Sequence, residues 1–256
     1  MITLAFFTEL LAQFGGGMGM GRGGGSYFLL VVLPGMVLSG AATWMVKSTF
    51  AKYSKVAAST GITGAEAAQR LLDNAGITDV TVEATRGMLS DHYDPRAKAL
   101  RLSEPVYGSN SLSAIGVACH EAGHAIQHAT GYKWLGMRSK MVPATGLTSK
   151  MAMPVLGIGM ALSYGGNLGG GIGSMLMWIG VALFSVAVLF SVITLPVEWD
   201  ASARAKKLMV SAGIVSNQES DTAGRVLNAA FLTYLASAIA SLLTLLYYVN
   251  RIRGSR

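Results

Sequence analysis

The chain has 256 residues, 52% of them hydrophobic and only 13% charged, with a formal net charge of +7. A soluble domain is about a quarter charged, so a wholly water-soluble globule is excluded and much of the chain is expected in lipid. The positive charge does not point to nucleic acid, because the bases flank apolar segments and form no patch interleaved with aromatics.

Residues 2–14 are apolar enough for a short interfacial helix and too few to span a bilayer; the Gly-rich stretch that follows, to residue 25, reads as a linker. Three stretches then lack Asp, Glu, Lys and Arg: 23–46, 151–197 and 226–250. A helix needs about 20 apolar residues to cross the hydrocarbon core. This predicts spans at 26–46 and 227–249, and two more within 141–195 joined by a turn at 165–170. The first run has an alternative reading as a signal peptide, against which stand the long, weakly charged residues ahead of it.

Of the 20 Lys and Arg, 16 lie in 47–150 or 204–225. Four spans put both regions on one side, and the positive-inside rule makes that side cytoplasmic. The arginines of the basic tail, 250–256, argue the other way. A lone Cys119 rules out an intramolecular disulfide framework and suits a small buried residue better than a ligand.

Residues 47–140 carry the water-facing portion. Thr63-Gly64-Ala65-Glu66 is a capping box, opening a helix with Ala67, Leu71 and Leu72 on one face and stopping near Gly76. Val80-x-Val82-x-Ala84 alternates as a strand. Met88–Tyr93 and Ala97–Leu102 flank Asp94-Pro95-Arg96 and read as a hairpin, so a short three-stranded antiparallel sheet is expected.

A helix over about 111–130 follows, starting at the N-capping Ser109-Asn110-Ser111. It carries His120-Glu121-Ala122-Gly123-His124. Histidines four apart share a helix face, so both imidazoles can reach one cation, and Glu121 can bond the water that the metal polarises. His128 lies eight residues past His120, about 12 Å along an unbroken helix. It is therefore expected to pack, or to support the ligands from behind. A further helix, within 196–226, is expected after Pro196 and begins with Glu198 and Asp200. These acids suit a helix N-terminus, or one of them ligates the metal. Glu198 is then favoured, since Asp200 points about 200° away around the helix.

The segments Val-Ala-Cys-His-Glu-Ala-Gly-His-Ala-Ile-Gln-His (117–128), Leu-Ser-Asp-His-Tyr-Asp-Pro-Arg (89–96) and Leu-Pro-Val-Glu-Trp-Asp-Ala-Ser-Ala-Arg-Ala (195–205) resemble the neutral zinc metallopeptidases of the YugP type, a family of bacterial membrane proteins. The likeness covers about Ser26 to Tyr248. It implies a membrane-bound, zinc-dependent peptidase with His120 and His124 as ligands and Glu121 as base. A looser likeness joins the chain to the heat-shock and prenyl-protein membrane metalloproteases, whose third ligand is the Glu of a Glu-x-x-x-Asp motif. Position 198 matches that Glu, but position 202 is Ser, which leaves Asp200 or Ser202 to take the place of their Asp.

His92 either stabilises the turn at Asp94 or donates to the oxyanion, and Tyr93 is an alternative donor. Neighbours on a strand face opposite ways, so at most one of them points at the metal. The strand itself offers an edge on which an extended peptide can add.

The resulting expectation is a mainly α membrane protein with four transmembrane helices and a small zincin-like α+β catalytic portion. Its expected reaction is peptide-bond hydrolysis by a zinc-activated water with a Glu base, at the cytoplasmic side of a bacterial inner membrane. The cofactor is Zn2+, and the partners are a peptide or membrane-protein substrate and the bilayer. Runs such as Gly157-x-Gly159 and Gly169–Gly173 permit close packing within the chain or in a homo-oligomer. The rival reading is a non-catalytic, zinc-stabilised membrane scaffold. A transporter is disfavoured, because none of the spans carries an ionisable residue.

Overall fold

The computed structural model describes residues 24–164 and 170–253. The expected interfacial helix and most of the Gly-rich linker, the turn at 165–169 and the last tail residues lie outside these. In chain order the elements are α1 (Gly24–Tyr53), α2 (Gly64–Asn74), β1 (Thr81–Thr85), β2 (His92–Asp94), β3 (Ala99–Ser103), α3 (Glu104–Tyr107), α4 (Leu112–Ala129), α5 (Lys133–Tyr164), α6 (Gly170–Ser211) and α7 (Asn217–Arg253).

Two compact units share these elements. One consists of Ala42–Gly136 and Leu195–Thr233. Its core packs Leu71 and Leu72 of α2 with Leu100 and Leu102 of β3, Ile115, Ala118, Cys119 and Ala122 of α4, and Met209 and Ile214. Fully burying a leucine or isoleucine contributes about 1.5–3 kcal/mol, so α4 is held by one face while its other face stays available for chemistry. The Thr63–Glu66 capping box forms: the Thr63 N–H donates to Glu66 Oε2 at 2.7 Å and the Glu66 N–H to Thr63 Oγ1 at 3.3 Å. Ser111 caps α4 by accepting the Ala114 N–H at 3.3 Å.

The sheet departs from expectation. Its order is β1-β3-β2, with β1 parallel to β3 and β2 antiparallel to it, so it is mixed rather than antiparallel. The hairpin between β2 and β3 forms around Asp94, whose Oδ1 accepts the N–H groups of Arg96 and Ala97. Its first strand is much shorter than Met88–Tyr93, because Gly87 (φ 102°) and Leu89 (φ 57°) turn the chain out of extended geometry. The same turns carry the chain across the sheet, so that β3 takes the centre and β2 an edge.

The other unit takes the described parts of Ile2–Ala41, Met137–Thr194 and Tyr234–Arg256. Among the described residues, two helices are long and apolar enough to cross a membrane, over 171–211 and Asn217–Arg253. The other two expected spans fall in α1 and α5; α5 breaks its apolar run with Lys140, Pro143, Lys150 and Pro154. Small residues set the helix spacing. A Cβ on Gly159 would lie 2.7 Å from the Met177 backbone nitrogen, and one on Gly173 2.7 Å from that of Ser163. Both glycines are therefore used within the chain. Ser191 of α6 and Ser241 of α7 bond through their hydroxyls at 3.1 Å.

Pro196 does not begin a new helix: α6 runs through it without a break. A proline inside a helix removes one N–H and crowds the preceding turn, normally bending or ending it. Here a single helix carries both the apolar run and the acids at 198 and 200.

Glu219, in the first turn of α7, ties the chain together at a distance. Its Oε2 accepts the Ser216 N–H at 2.8 Å and its Oε1 the Ser59 N–H at 2.6 Å. These bonds, led by that of Ser216, hold its carboxyl down at about 2, from an ordinary 4.5. A depressed carboxylate stabilises the fold above its unfolded value, and that contribution disappears as pH falls towards the folded one. The melting difference between the wild type and Glu219→Gln should therefore be a few degrees at neutral pH and shrink between pH 5 and pH 2. Thermal scans across that range test it; a constant difference would contradict the linkage.

Candidate metal centre

Two elements build the site. α4 presents His120 and His124 from successive turns, their rings 4.7 Å apart and edge-to-face. α6 lays Glu198 against them: its Oε2 is 3.1 Å from His120 Nε2 and 3.6 Å from His124 Nε2. One donor atom from each of the three lies within 4.8 Å of the others. Glu198 is only 1% exposed.

The helices come this close because residue 123 is glycine. A Cβ there would sit 2.7 Å from the Ala201 carbonyl oxygen, a backbone atom that cannot swing aside. The glycine inside the His-Glu-x-x-His run thus brings the α6 backbone within reach of the imidazoles.

The hydrogen bonds behind the ligands fix their protons. Gln127, fully buried, donates its amide N–H groups to the Val197 carbonyl and to Asp200 Oδ2, both at 2.8 Å. Its carbonyl end therefore faces His124 and accepts from Nδ1 at 3.0 Å. With the proton on Nδ1, His124 turns the lone pair of Nε2 towards the Glu198 carboxylate. In the neutral ring this sets a metal-ligating lone pair beside a buried carboxylate oxygen. Two imidazole nitrogens and one carboxylate oxygen are donors that zinc accepts, so the residues fit that ion. Ser202 Oγ bonds His120 Nδ1 at 3.1 Å and holds the second ring in the same way.

Asp200 faces away from this cluster. It accepts from Gln127 and from Arg204 Nε at 2.6 Å, and Arg204 stacks over the Tyr132 ring at 5.7 Å. It thus anchors Gln127. Gln127 itself was missed by the sequence reading; its signal was a lone carboxamide three residues past His124 on an otherwise apolar helix face. Replacing it with leucine removes the acceptor from His124 Nδ1 and the donor that ties α4 to the Val197 carbonyl. Zinc affinity, measured by chelator competition, should fall about 10–100-fold, the usual cost of losing such a partner. Unchanged affinity would separate Gln127 from the metal centre.

Glu121 points to the sheet. Its Oε2 accepts the backbone N–H of Tyr93 at 3.0 Å, from the edge of β2 not paired with β3. The Tyr93 hydroxyl bonds His128 Nδ1 at 2.9 Å. Burial, helped by the charges of Asp79 and Asp94, pushes that phenol above its ordinary value, so it stays protonated. His128 therefore meets Tyr93 rather than the ligand rings. His92 bonds the Ser90 carbonyl through Nδ1 at 2.7 Å, which places a proton on that nitrogen. Donation from its Nε2 then requires the doubly protonated ring.

Beside this edge, Asp91 is buried and accepts the N–H (2.7 Å) and hydroxyl (2.9 Å) of Ser103. Burial pushes its carboxyl up against those bonds, and the charge of Glu121 acts in the same direction. The contact pins the start of β2 to the end of β3. Cys119 lies in the core, where burial pushes its thiol up to about 12, so it offers no thiolate.

Residues 28–253 match a family described as "Putative neutral zinc metallopeptidase". The chain is also 48% identical over 222 residues to "Putative membrane protease YugP" of Bacillus subtilis (strain 168), covering 87% of this chain and 95% of that relative. No solved structure matches it.

Proposed function

The chain belongs to the neutral zinc metallopeptidase family, and on that premise we propose that it hydrolyses peptide bonds at a membrane surface with Glu121 as general base. The observation that carries this reading is the cluster of His120, His124 and Glu198, with Glu121 beside it on the same helix. Three grouped protein donors suit a catalytic rather than a closed structural ion, which favours the enzyme over a scaffold.

His120, His124 and Glu198 would hold the metal. Zinc, when bound, supplies Lewis acidity that polarises water and the scissile carbonyl. Gln127 and Ser202 hold the imidazoles in register. The Tyr93 N–H steadies Glu121 through Oε2, leaving the other oxygen to take a proton from the attacking water and return it to the departing amine. Substrate adds in extended form along the outer edge of β2, donating a main-chain N–H to the Tyr93 carbonyl while the Tyr93 N–H stays on Glu121. His92 is the candidate side-chain donor to the oxyanion, and with Nδ1 on the Ser90 carbonyl it would donate through Nε2.

The protein is read as a membrane endopeptidase with four spans, its catalytic side cytoplasmic by the charge distribution. Peptides and the exposed segments of membrane proteins are its substrate class. The full chain, purified in detergent, should cleave unfolded protein; a chelator should stop this and added zinc restore it. Cleavage that survives complete metal removal, or none by the zinc-loaded chain, would defeat the reading.

A further inference from the structure

We propose that the cavity between Tyr93, His128 and the start of β1 receives one apolar side chain of the substrate, and so sets cleavage specificity; this rests on the peptidase reading above. The cavity measures about 230 Å³, below the roughly 300–1,000 Å³ of small-molecule sites. It is the size for a single side chain.

Its place in the fold links it to the metal centre. Asp79 and Val80 lead into β1, Lys98 leads into β3, and Tyr93 lies next to the last residue of β2. The cavity therefore sits at the end of the sheet where β2 finishes. Its helical wall is Ala125, His128 and Ala129, just past His124 on α4. Tyr93 spans the two places, with its N–H on Glu121 and its hydroxyl on His128. A peptide laid along the outer edge of β2 and continuing past Asp94 runs from the base to this cavity. His128 is one turn, about 6 Å, beyond His124. An extended chain advances about 3.3 Å per residue, so the side chain received is about two residues from the scissile bond.

The chemistry of the walls names the side chain. Asp79 is already bonded to Lys98, and the Tyr93 hydroxyl to His128. What the cavity offers beyond these pairs is Ile77, Val80 and Ala125, all buried apolar groups, with Ala129 at the opening. A charged side chain would lose its water there with nothing new to bond. Leucine or phenylalanine would bury apolar surface against those walls.

The test uses the zinc-loaded full chain in detergent and a peptide library in which one position at a time is Trp, Phe, Leu, Ala or Asp. The wild type should prefer Phe or Leu over Ala at one position by about 10–200-fold. Ala129→Leu, which fills the opening, should cut that ratio about tenfold at that position alone. His128→Ala, a change at an exposed residue, should widen the site and shift the preference towards Trp. Fluorescence anisotropy on Glu121→Gln, which holds peptides without cutting them, should reproduce the ratios as affinities. Cleavage with equal ratios in the wild type and both cavity variants would overturn the subsite while leaving the peptidase intact. A zinc-loaded wild type that cleaves no peptide overturns both.

Discussion

Glu121→Gln should abolish peptide cleavage while leaving zinc in place. Glutamine keeps the size of the side chain, and its carbonyl can still accept the Tyr93 N–H, so the contact with β2 is kept. What it cannot do is take and return a proton, and such a group contributes about 10²–10⁴-fold to a rate. Cleavage rates beside metal content by mass spectrometry check this. A variant with full activity would remove Glu121 from the reaction, and one that lost its zinc would make it a structural residue.

Glu198→Ala should empty the site. The change deletes one of three donors and leaves only the two imidazoles to hold the ion. The loss of zinc affinity should exceed the roughly 100-fold expected at most for partners behind the ligands, and activity should vanish with the metal. Asp200→Ala is the companion variant. It takes the shared acceptor from Gln127 and Arg204 but removes no metal donor, so its zinc loss should be no greater than that of Gln127→Leu. If Asp200→Ala empties the site and Glu198→Ala does not, the assignment reverses.

Much of this site is legible in the amino-acid sequence because it is local. Two histidines four apart with a glutamate between them describe one helix face, and helical geometry makes the first two donors neighbours without any tertiary information. Glu198 is a different matter. Spacing along a helix separates it from Asp200, but only the approach at Gly123 shows why α6 lies near enough to place it. The capping residues Thr63 and Ser111 are read just as directly, since each bonds within its own turn.

The sheet is harder to read for the opposite reason. Alternation in 80–84 and the turn at Asp94 identify extended segments, but strand order depends on what happens between them. The positive φ of Leu89 leaves no mark in composition, and it turns the chain so that β1 meets β3 instead of β2. Pro196 misleads by its usual effect: it reads as a boundary, whereas α6 absorbs it. Gln127 escapes notice because an amide on a mostly apolar helix looks like an ordinary polar exception until its three partners appear together.

The central position of β3 bears on how this part of the molecule is born. Translation delivers residues 81–85 first, yet their ladder partner is 99–103, so the earliest strand waits bare until the last has left the ribosome. A protease cutting within 86–90 would leave β2 and β3 covalently joined. One cutting within 95–98 would split that pair, and with it the edge that reaches Glu121.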